Sequence, residues 1–348
     1  MAESDVFVQE ALRPKGLAVK VSVIIPVWNG HGYLAKLLAS IQVQTVKPAE
    51  VLVIDNGSVD GAAELAERWG ARVIRLAENQ GFAAAVNRGI EESSGEVLAI
   101  LNSDVELHPE WLNTIAGALS GTEAWFATGK ILSARNPGKI DGTWDLLCRG
   151  GIPWRAGYGF PADFAAFQEK RRIDLAPFTA VLVRQTLFQK AGLLDARFES
   201  YLEDVDFGLR CAVGGWRGLY VPEAVCRHHG SATLGRWHGD SVYKMSRNQV
   251  FLLAKHYVPG LRRHWWWKIL IGQLLWGLVA VRHGAGTAWI HGKWDGIRRF
   301  GTFDGTRTDL RQLLSQQEDE LLALQRQGGP DRLWSLYFRL TRRAAGTK

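Results

Sequence analysis

In "LAILNSDVEL", residues 98–107, an apolar run stops at Asn102, Ser103 and Asp104, with Glu106 two residues further on. The run reads as a buried strand, and its oxygen-rich tip is either an ordinary polar turn or a place to hold a divalent cation. Three other stretches carry comparable groups. "YLEDVDFGLR" crowds Glu203, Asp204 and Asp206 ahead of Arg210. These acids either form the charged first turn of a helix, which its dipole favours, or repel one another enough to raise a pKa and leave a general base for a hydroxyl. "AVCRHHGSAT" sets His228 and His229 beside Gly and Ser in a turn, where one of them can reach a metal or a phosphate. Asp55, in "VIDNGSVDG", can accept hydrogen bonds from a base or ribose, or close an Asx-turn ahead of the next helix.

If these groups serve a nucleotide, the usual glycine cradles are missing. "PVWNGHG" stands after the first strand in place of GxGxxG, and GxxxxGK[ST] occurs nowhere. A bound diphosphate then needs another source of positive charge. Mg²⁺ or Mn²⁺ suits that role, because such ions take carboxylate oxygens and bridge them to phosphates. Asp104 is the first choice of ligand, with Asn102 supporting and Glu106 less favoured.

The elements that must position these residues alternate. "VKVSVIIPV", "AEVLVIDNG", "ARVIRLAENQG" and "EVLAILNSD" read as strands, near-continuous in apolar residues. "GYLAKLLASIQ", "GAAELAERWG" and "FAAAVNRGIEESSG" separate them as helices, Gly70 stopping the second, and "PEWLNTIAGALS" follows with Pro109 suited to a first turn. This is the pattern of an α/β protein whose parallel sheet is covered on both faces, and ligands of such sheets gather at the carboxyl ends of the strands. Asp55 and Asp104 both sit at such ends. Residues 121–177, rich in Gly, Pro and aromatics, read as a long irregular excursion. "FTAVLVRQTLFQKAG" restores strand then helix, "DVDFGLRCAVGG" is a helix, and "WRGLYVPEAVCRHHG" reads as a strand pair.

At 348 residues, 47% of them hydrophobic, the chain can bury a full core and carry an appendage. Cys148, Cys211 and Cys226 form no CxxC pair and read as reduced thiols. The start, "MAESDVFVQEALRPKG", lacks the apolar core of a signal peptide, so a cytoplasmic location is expected. The net charge of +7 favours anionic partners, and much of the excess falls after residue 240 among clustered Trp. There, the apolar segment 269–281 is bracketed by Arg262, Arg263, Lys268 and Arg282. It falls short of the about 20 residues a span needs, and with Trp265–Trp267 it suits a membrane interface, or else a buried helix or dimer contact.

Taken in order and spacing, "VSVIIPVWNG", "VLVIDNGSVDG", "NQGFAAAVNRGI", "LAILNSDVEL", "YLEDVDFGLR" and "VCRHHGSAT" resemble the family 2 inverting glycosyltransferases of GT-A fold, in particular the bacterial branch with rhamnosyltransferases of cell-wall and polysaccharide assembly. The resemblance covers roughly residues 20–255. It implies a Rossmann-like, mostly parallel sheet flanked by helices, after a lead-in at 1–19; beyond it, the basic, Trp-rich helical extension at 256–348 is expected, from its own residues, to associate with membrane through 261–299. It further implies that Pro26, Trp28, Asn29, Asp55, Asn56, Gly81, Phe82 and Asn87 line a nucleotide-sugar site. Asn102, Ser103 and Asp104 occupy the place of the family's DXD metal motif, with Asn102 replacing its first Asp. Asp204 falls where the family keeps its catalytic base, after Glu203; His228 matches a histidine that completes the shell of Mg²⁺ or Mn²⁺; and Arg247, in "SRNQ", is the expected contact near the donor diphosphate. The implied reaction moves a sugar, with dTDP-rhamnose favoured over UDP-linked hexoses, to a saccharide acceptor linked to polyprenyl diphosphate, by a peripheral protein at the inner face of the cell membrane. Homo-oligomerisation stays open. Two rivals are weighed against it: a sugar nucleotidyltransferase, which would need a basic, Gly-rich loop where "PVWNGHGYL" stands, and a non-catalytic sugar-nucleotide or nucleic-acid binder, for which no reading motif is present, so no nucleic acid is expected.

Overall fold

The computed structural model describes residues 19–230, 237–304, 308–328 and 331–342. The lead-in over residues 1–18, the Ser-Ala-Thr after Gly230 and the final basic residues, 343–348, lie outside the described residues.

The alternation expected in the first third is present. β1 (Val21–Val27), α1 (His31–Gln42), β2 (Glu50–Asp55), α2 (Ala62–Arg68), β3 (Arg72–Arg75), α3 (Phe82–Glu92) and β4 (Val97–Leu101) follow in turn. β1 and β4 are buried at every position, as strands covered on both faces must be. They pair in parallel in the order β4-β1-β2-β3, with Val27 in register with Asp55, so the ends of β1 and β2 lie side by side.

Beyond β4 come β5 (Val105–Leu107) and α4 (Trp111–Ser120), whose first turn begins after Pro109, with Glu110 as cap. The stretch read as irregular holds β6 (Phe126–Ser133), β7 (Ile140–Gly142), a hairpin of β8 (Asp145–Leu147) and β9 (Pro153–Arg155), and β10 (Arg171–Ile173). The expectation of a featureless excursion is therefore corrected. β6 is an interior strand, between β11 (Ala180–Arg184) and β12 (Gly218–His228). Gly129 and Lys130 interrupt its apolar run, and each has a packing reason. A Cβ on Gly129 would lie 1.8 Å from the Ala224 carbonyl oxygen, while buried Lys130 donates through Nζ to Gln168 Oε1 at 2.7 Å and the Ala162 carbonyl at 3.2 Å.

β11 runs antiparallel to both β4 and β6, so the sheet is parallel only in two parts, β3-β2-β1-β4 and β6-β12. The expected strand pair at 216–230 is one strand, β12, whose register shifts between Val221 and Val225 around Pro222. Between β11 and β12 lie α5 (Gln185–Ala191) and α6 (Glu203–Val213).

The remainder is helical: α7 (Gly239–His256), α8 (Pro259–Arg282), bent at Trp265, α9 (Gly286–Arg298), α10 (Arg311–Gly328) and α11 (Arg332–Arg342). Leu275 of α8, Leu321 of α10 and Tyr337 of α11 share one hydrophobic core with Ile24, Ile100 and Trp144. Gln317 Oε1 accepts from the Leu147 amide at 2.9 Å, and Trp144 Nε1 donates to Glu320 at 3.0 Å, so the last helices close over the β8–β9 hairpin. Among the described residues, no helix is long and apolar enough to cross a membrane.

The close approach of Gly129 to the β12 bulge gives a direct test. Gly129→Ala forces one of two paired backbones to move and lowers stability by at least about 1–3 kcal/mol, read from the denaturant midpoint.

Candidate active site

The first group of expected residues gathers where β1 and β2 end. Pro26 is buried within β1, and Trp28 and Asn29 follow its tip. Asn29 adopts φ of 49°, a left-handed conformation that asparagine tolerates better than most residues. Its amide donates to Ser58 Oγ at 3.0 Å and its Oδ1 accepts from the Val59 amide at 2.9 Å, joining the two strand-tip loops. Buried Asp55 accepts from the Ser58 amide, three residues on, at 3.0 Å, which closes the loop after β2. Asn56 donates to Asn79 Oδ1 at 3.0 Å and the Gly81 carbonyl at 3.1 Å, and accepts from the Gln80 amide at 2.9 Å.

Gly81, at φ +87°, lies so close to the next loop that a Cβ there would sit 2.8 Å from Glu199 Cα. The Phe82 amide donates to Ser200 Oγ at 3.1 Å and the Ala83 amide to the Glu199 carbonyl at 2.8 Å, so residues 199–200 take up the free amides at the start of α3. Asn87 exchanges two hydrogen bonds with the Leu194 backbone, 2.8 and 3.0 Å, which spends its amide on anchoring α3.

The second group forms at the tip of β4, the strand beside β1. A Cβ on Gly30 would meet Ser103 Oγ at 3.3 Å, so the two loops touch. β5 pairs antiparallel with the last residues of β12, His228 opposite Val105, and the His229 amide donates to the Asp104 carbonyl at 3.0 Å. That pairing brings His228 onto Asp104. Its Nε2 lies 3.2 Å from Asp104 Oδ1, and its Nδ1 lies 2.8 Å from Asp141 Oδ2. Burial by itself would lower the imidazole pKa, but the two carboxylates push it up to about 9. For Asp104, burial acts upwards and is outweighed by His228, which holds the carboxyl below its ordinary range. His229 and Glu106 instead pair with each other at 2.6 Å, with Lys36 3.7 Å from Glu106.

Among the described residues, no three His, Cys, Asp or Glu side chains form a complete metal cage. The donors at this spot nevertheless fit a hard divalent cation that takes its remaining ligands from water and phosphate: one carboxylate, one imidazole oriented from behind by Asp141, and the buried Asn102 Oδ1, which lacks a hydrogen-bond partner.

The third group lies at the start of α6. Glu199, Tyr201 and Leu202 have φ of 60°, 73° and 68°, a costly run for non-glycine residues. Asn248 Nδ2 donates to the carbonyls of Phe198 at 2.8 Å, Ser200 at 3.0 Å and Tyr201 at 2.7 Å, which holds the turn in place. Arg247, expected at the donor diphosphate, is buried in α7 and donates to Glu199 Oε1 at 2.7 Å and the Phe198 carbonyl at 3.1 Å. It thus serves the same turn, whose Glu199 faces Gly81.

The three crowded acids separate by environment. Glu203 is buried with one oxygen unpartnered, and burial together with neighbouring Asp204 pushes its carboxyl well above the usual range. For Asp206, burial would act the same way, but His256 at 2.7 Å, Arg210 at 3.1 Å and Lys255 at 2.9 Å hold it well below. Half-buried Asp204 accepts from the Phe178 amide at 3.3 Å, while the Asn102 amide donates to the carbonyl of Thr179, the next residue, at 2.9 Å. Two consecutive residues therefore touch both the Asn102–Asp104 loop and Asp204.

Sequence reasoning missed Asp141, Asp145 and Arg155 because they lie in the stretch read as irregular. Arg155 reaches across Gly142, where a Cβ would come within 2.4 Å of its Cδ, to Thr179 Oγ1 at 3.3 Å and Asp145 Oδ1 at 3.4 Å. Its charge is felt by Asp141 and Asp204 as well. Burial pushes Asp145 up to about 6, with Arg155 opposing and Asp204 adding to the rise. The glycine before "TWD" was the one available signal.

A central sheet with these loops at the carboxyl ends of its first strands has the GT-A glycosyltransferase fold. It matches GalNAc-T7 solved with UDP, GalNAc and Mn²⁺ (TM-score 0.58, 14% identity, 94% of this chain and 57% of that one). It also matches the mannosyltransferase PcManGT from Pyrobaculum calidifontis in complex with GDP-Man and Mn²⁺ (TM-score 0.51, 14% identity, 94% and 85%). The sequence profile of Glycosyl transferase family 2 matches residues 22–160 of the chain. Among its relatives is the N-acetylglucosaminyl-diphospho-decaprenol L-rhamnosyltransferase of Mycobacterium tuberculosis, 28% identical over 291 residues, which span 75% of this chain and 90% of that protein.

Asp206 ties α6 to α7, and its depressed pKa makes it a stabilising group above about pH 4. That contribution, with the one from Asp195, which burial would raise but Arg197 and Lys255 lower to about 2, is lost as the pH falls towards 2. Asp206→Asn leaves Arg210, Lys255 and His256 facing a neutral amide and costs ~3–5 kcal/mol at neutral pH. Urea melts between pH 2 and 7 will show the variant's stability falling less steeply over the acid limb than that of the parent.

Proposed function

We propose that this protein is a metal-dependent inverting transferase that moves a sugar from a nucleotide-sugar donor to a hydroxyl of a saccharide acceptor, with residues 20–255 as its catalytic domain. The carrying observation is the junction at Phe178–Thr179, which sets the Asn102–Asp104 loop and Asp204 against adjoining residues. An inverting transfer needs this pairing, because the nucleophile loses its proton on one side of the anomeric carbon while negative charge grows on the leaving diphosphate on the other.

Asp204 is placed to take the proton of the acceptor hydroxyl. The Phe178 and Val205 amides, at 3.3 and 2.8 Å, fix one oxygen each and so orient the carboxylate. Glu203, whose carboxyl is pushed well above the usual range by burial and by Asp204 itself, supports it from the preceding position. Asp104 and His228, with Asn102 beside them, would hold Mg²⁺ or Mn²⁺, which supplies positive charge to the diphosphate. Pro26, Trp28, Asn29, Asp55, Asn56, Gly81, Phe82 and Ser103 frame the nucleotide side; Asn87 fixes α3, and Arg247 belongs to that side through Glu199.

The Mycobacterium relative is named for rhamnose transfer to a diphospho-decaprenol-linked acceptor, and the two structural neighbours are solved with UDP or GDP-Man. The relative's name supports rhamnose as the sugar and a polyprenyl-diphosphate-linked saccharide as acceptor, the neighbours support a nucleotide-sugar donor, and on this reading the donor is dTDP-rhamnose, used in cell-wall or surface polysaccharide synthesis. On this reading the protein works peripherally, at the inner face of the cell membrane.

Incubation with a panel of nucleotide sugars and Mn²⁺ or Mg²⁺ should give nucleoside diphosphate release from one of them; no release from any donor, with or without acceptor lipids, would reduce the protein to a binder. Asp204→Asn keeps nucleotide affinity and lowers turnover by about 10²–10⁴-fold, the usual worth of a general base. Asp104→Ala weakens nucleotide binding in Mn²⁺, and calorimetry then finds the same affinity with and without chelator.

A further inference from the structure

Of the thirteen large hydrophobic side chains left exposed among the described residues, eight lie on α8 and α9. On α8 these are Trp266, Leu270, Leu274, Leu278 and Val281, spaced by four, four, four and three, which places them on one face over about 22 Å of helix. On α9 they are Ile290, Trp294 and Ile297, again one face.

The opposite sides of both helices are occupied. Gly292 and Gly296 lie against Tyr243, Arg247 and Val250 of α7, where an added Cβ would come within 2.3–3.1 Å of each. Trp276 Nε1 donates to Ser246 Oγ at 3.2 Å, and Lys293 Nζ donates to the Ser246 carbonyl at 2.9 Å and Gln249 Oε1 at 2.7 Å. Trp289 of α9 packs on Gly277 of α8, an added Cβ there lying 2.6 Å from the indole. With α7 beneath both helices and the two side by side, helical periodicity turns both apolar stripes the same way, outward from α7.

Charge selects the occupant. Asp295 is the one acid in the sequence from 256 to 303, and it is taken up by Tyr243 at 3.0 Å and Arg299 at 3.7 Å. Exposed Arg263, Arg282 and Arg298 stand at the ends of the stripes. A second copy of the chain, joined face to face about a two-fold axis, would bring these cations towards their own counterparts. An anionic bilayer offers them phosphate, takes the aliphatic stripe into its acyl boundary and accepts indole at headgroup level.

We propose that the paired outer faces of α8 and α9 are a membrane-docking surface that lies in the headgroup layer of an anionic bilayer without crossing it. The surface deepens the reading of a lipid-linked acceptor and rests on that reading for its purpose. It is also close-coupled to the site. α7, which supports both helices from below, carries the Arg247 and Asn248 that hold the turn leading to Asp204.

The test is flotation of the full chain with vesicles of phosphatidylcholine alone or with 30% phosphatidylglycerol, beside Leu274→Glu/Leu278→Glu. Both positions are half or more exposed, so the double variant melts with the parent. The parent binds the anionic vesicles, loses binding in high salt, and binds at least about tenfold more tightly than the double variant. Equal binding by the two proteins, or none by either, would overturn the proposal, as would a lipid-free dimer that the double variant converts to monomer. Nucleoside diphosphate release from a soluble donor, measured without vesicles, stays at parental level in the variant; its absence from both proteins would count against the transferase reading while leaving vesicle binding to be judged separately.

Discussion

Asp104 and His228 are 124 positions apart in the chain, and the three-residue antiparallel ladder between β5 and the end of β12 makes them neighbours. Because the ladder sets register, a slip of one residue would turn His228 to the other face of the strand and leave Asp104 buried beside no counter-charge. The bulge at Val221–Val225 resets the register in which β12 resumes its pairing with β6 through His228, and Gly129 lets the bulged backbone come close. A charged cluster is thereby hung on a feature of pure backbone geometry. Asp141, on the other side of the imidazole, holds Nδ1 at 2.8 Å and so orients the ring.

The acid at the start of α6 is held by a different device. Three non-glycine residues at positive φ within four positions, Glu199, Tyr201 and Leu202, are strained, and the chain keeps them because Asn248 satisfies three of the carbonyls and Arg247 pairs with Glu199. The same turn takes up the first amides of α3 and closes over Gly81. One strained segment therefore joins the loop at the nucleotide side to the helix that carries Asp204, and both are braced from α7. Glu203, Asp204 and Asp206 differ because each meets different surroundings: burial with one oxygen unpartnered, the Phe178 amide at a half-buried position, and Arg210, Lys255 and His256.

The first four strands and three helices were legible because their apolar runs are long and their stops are chemical, as with Asp55 at the end of β2 and Gly70 after α2. The acidic tips could be named for the same reason, whereas the residues expected around a nucleotide came from the family resemblance. Residues 121–177 resisted, since β6 carries Gly129 and Lys130 in its interior and β7 to β10 are only three residues each. Such short strands have no periodicity to read, and their pairing partners lie far along the chain. Asp141, Asp145 and Arg155 went unseen with them. Arg247 was expected at the donor diphosphate, and its partner in the fold, Glu199, could be found only from the folded turn.

By itself the sequence determined the α/β class, the places where strands end in polar side chains, and an apolar, Trp-bearing, cationic tail too short to span a bilayer, because these are properties of neighbouring residues. Tertiary structure alone decided that β11 runs against its neighbours, that His228 rather than His229 meets Asp104, that Asp206 is neutralised while Glu203 is not, and that the apolar stripes of α8 and α9 turn the same way. Each of those outcomes depends on which distant backbone lies alongside, and that is settled by packing and register over the whole sheet.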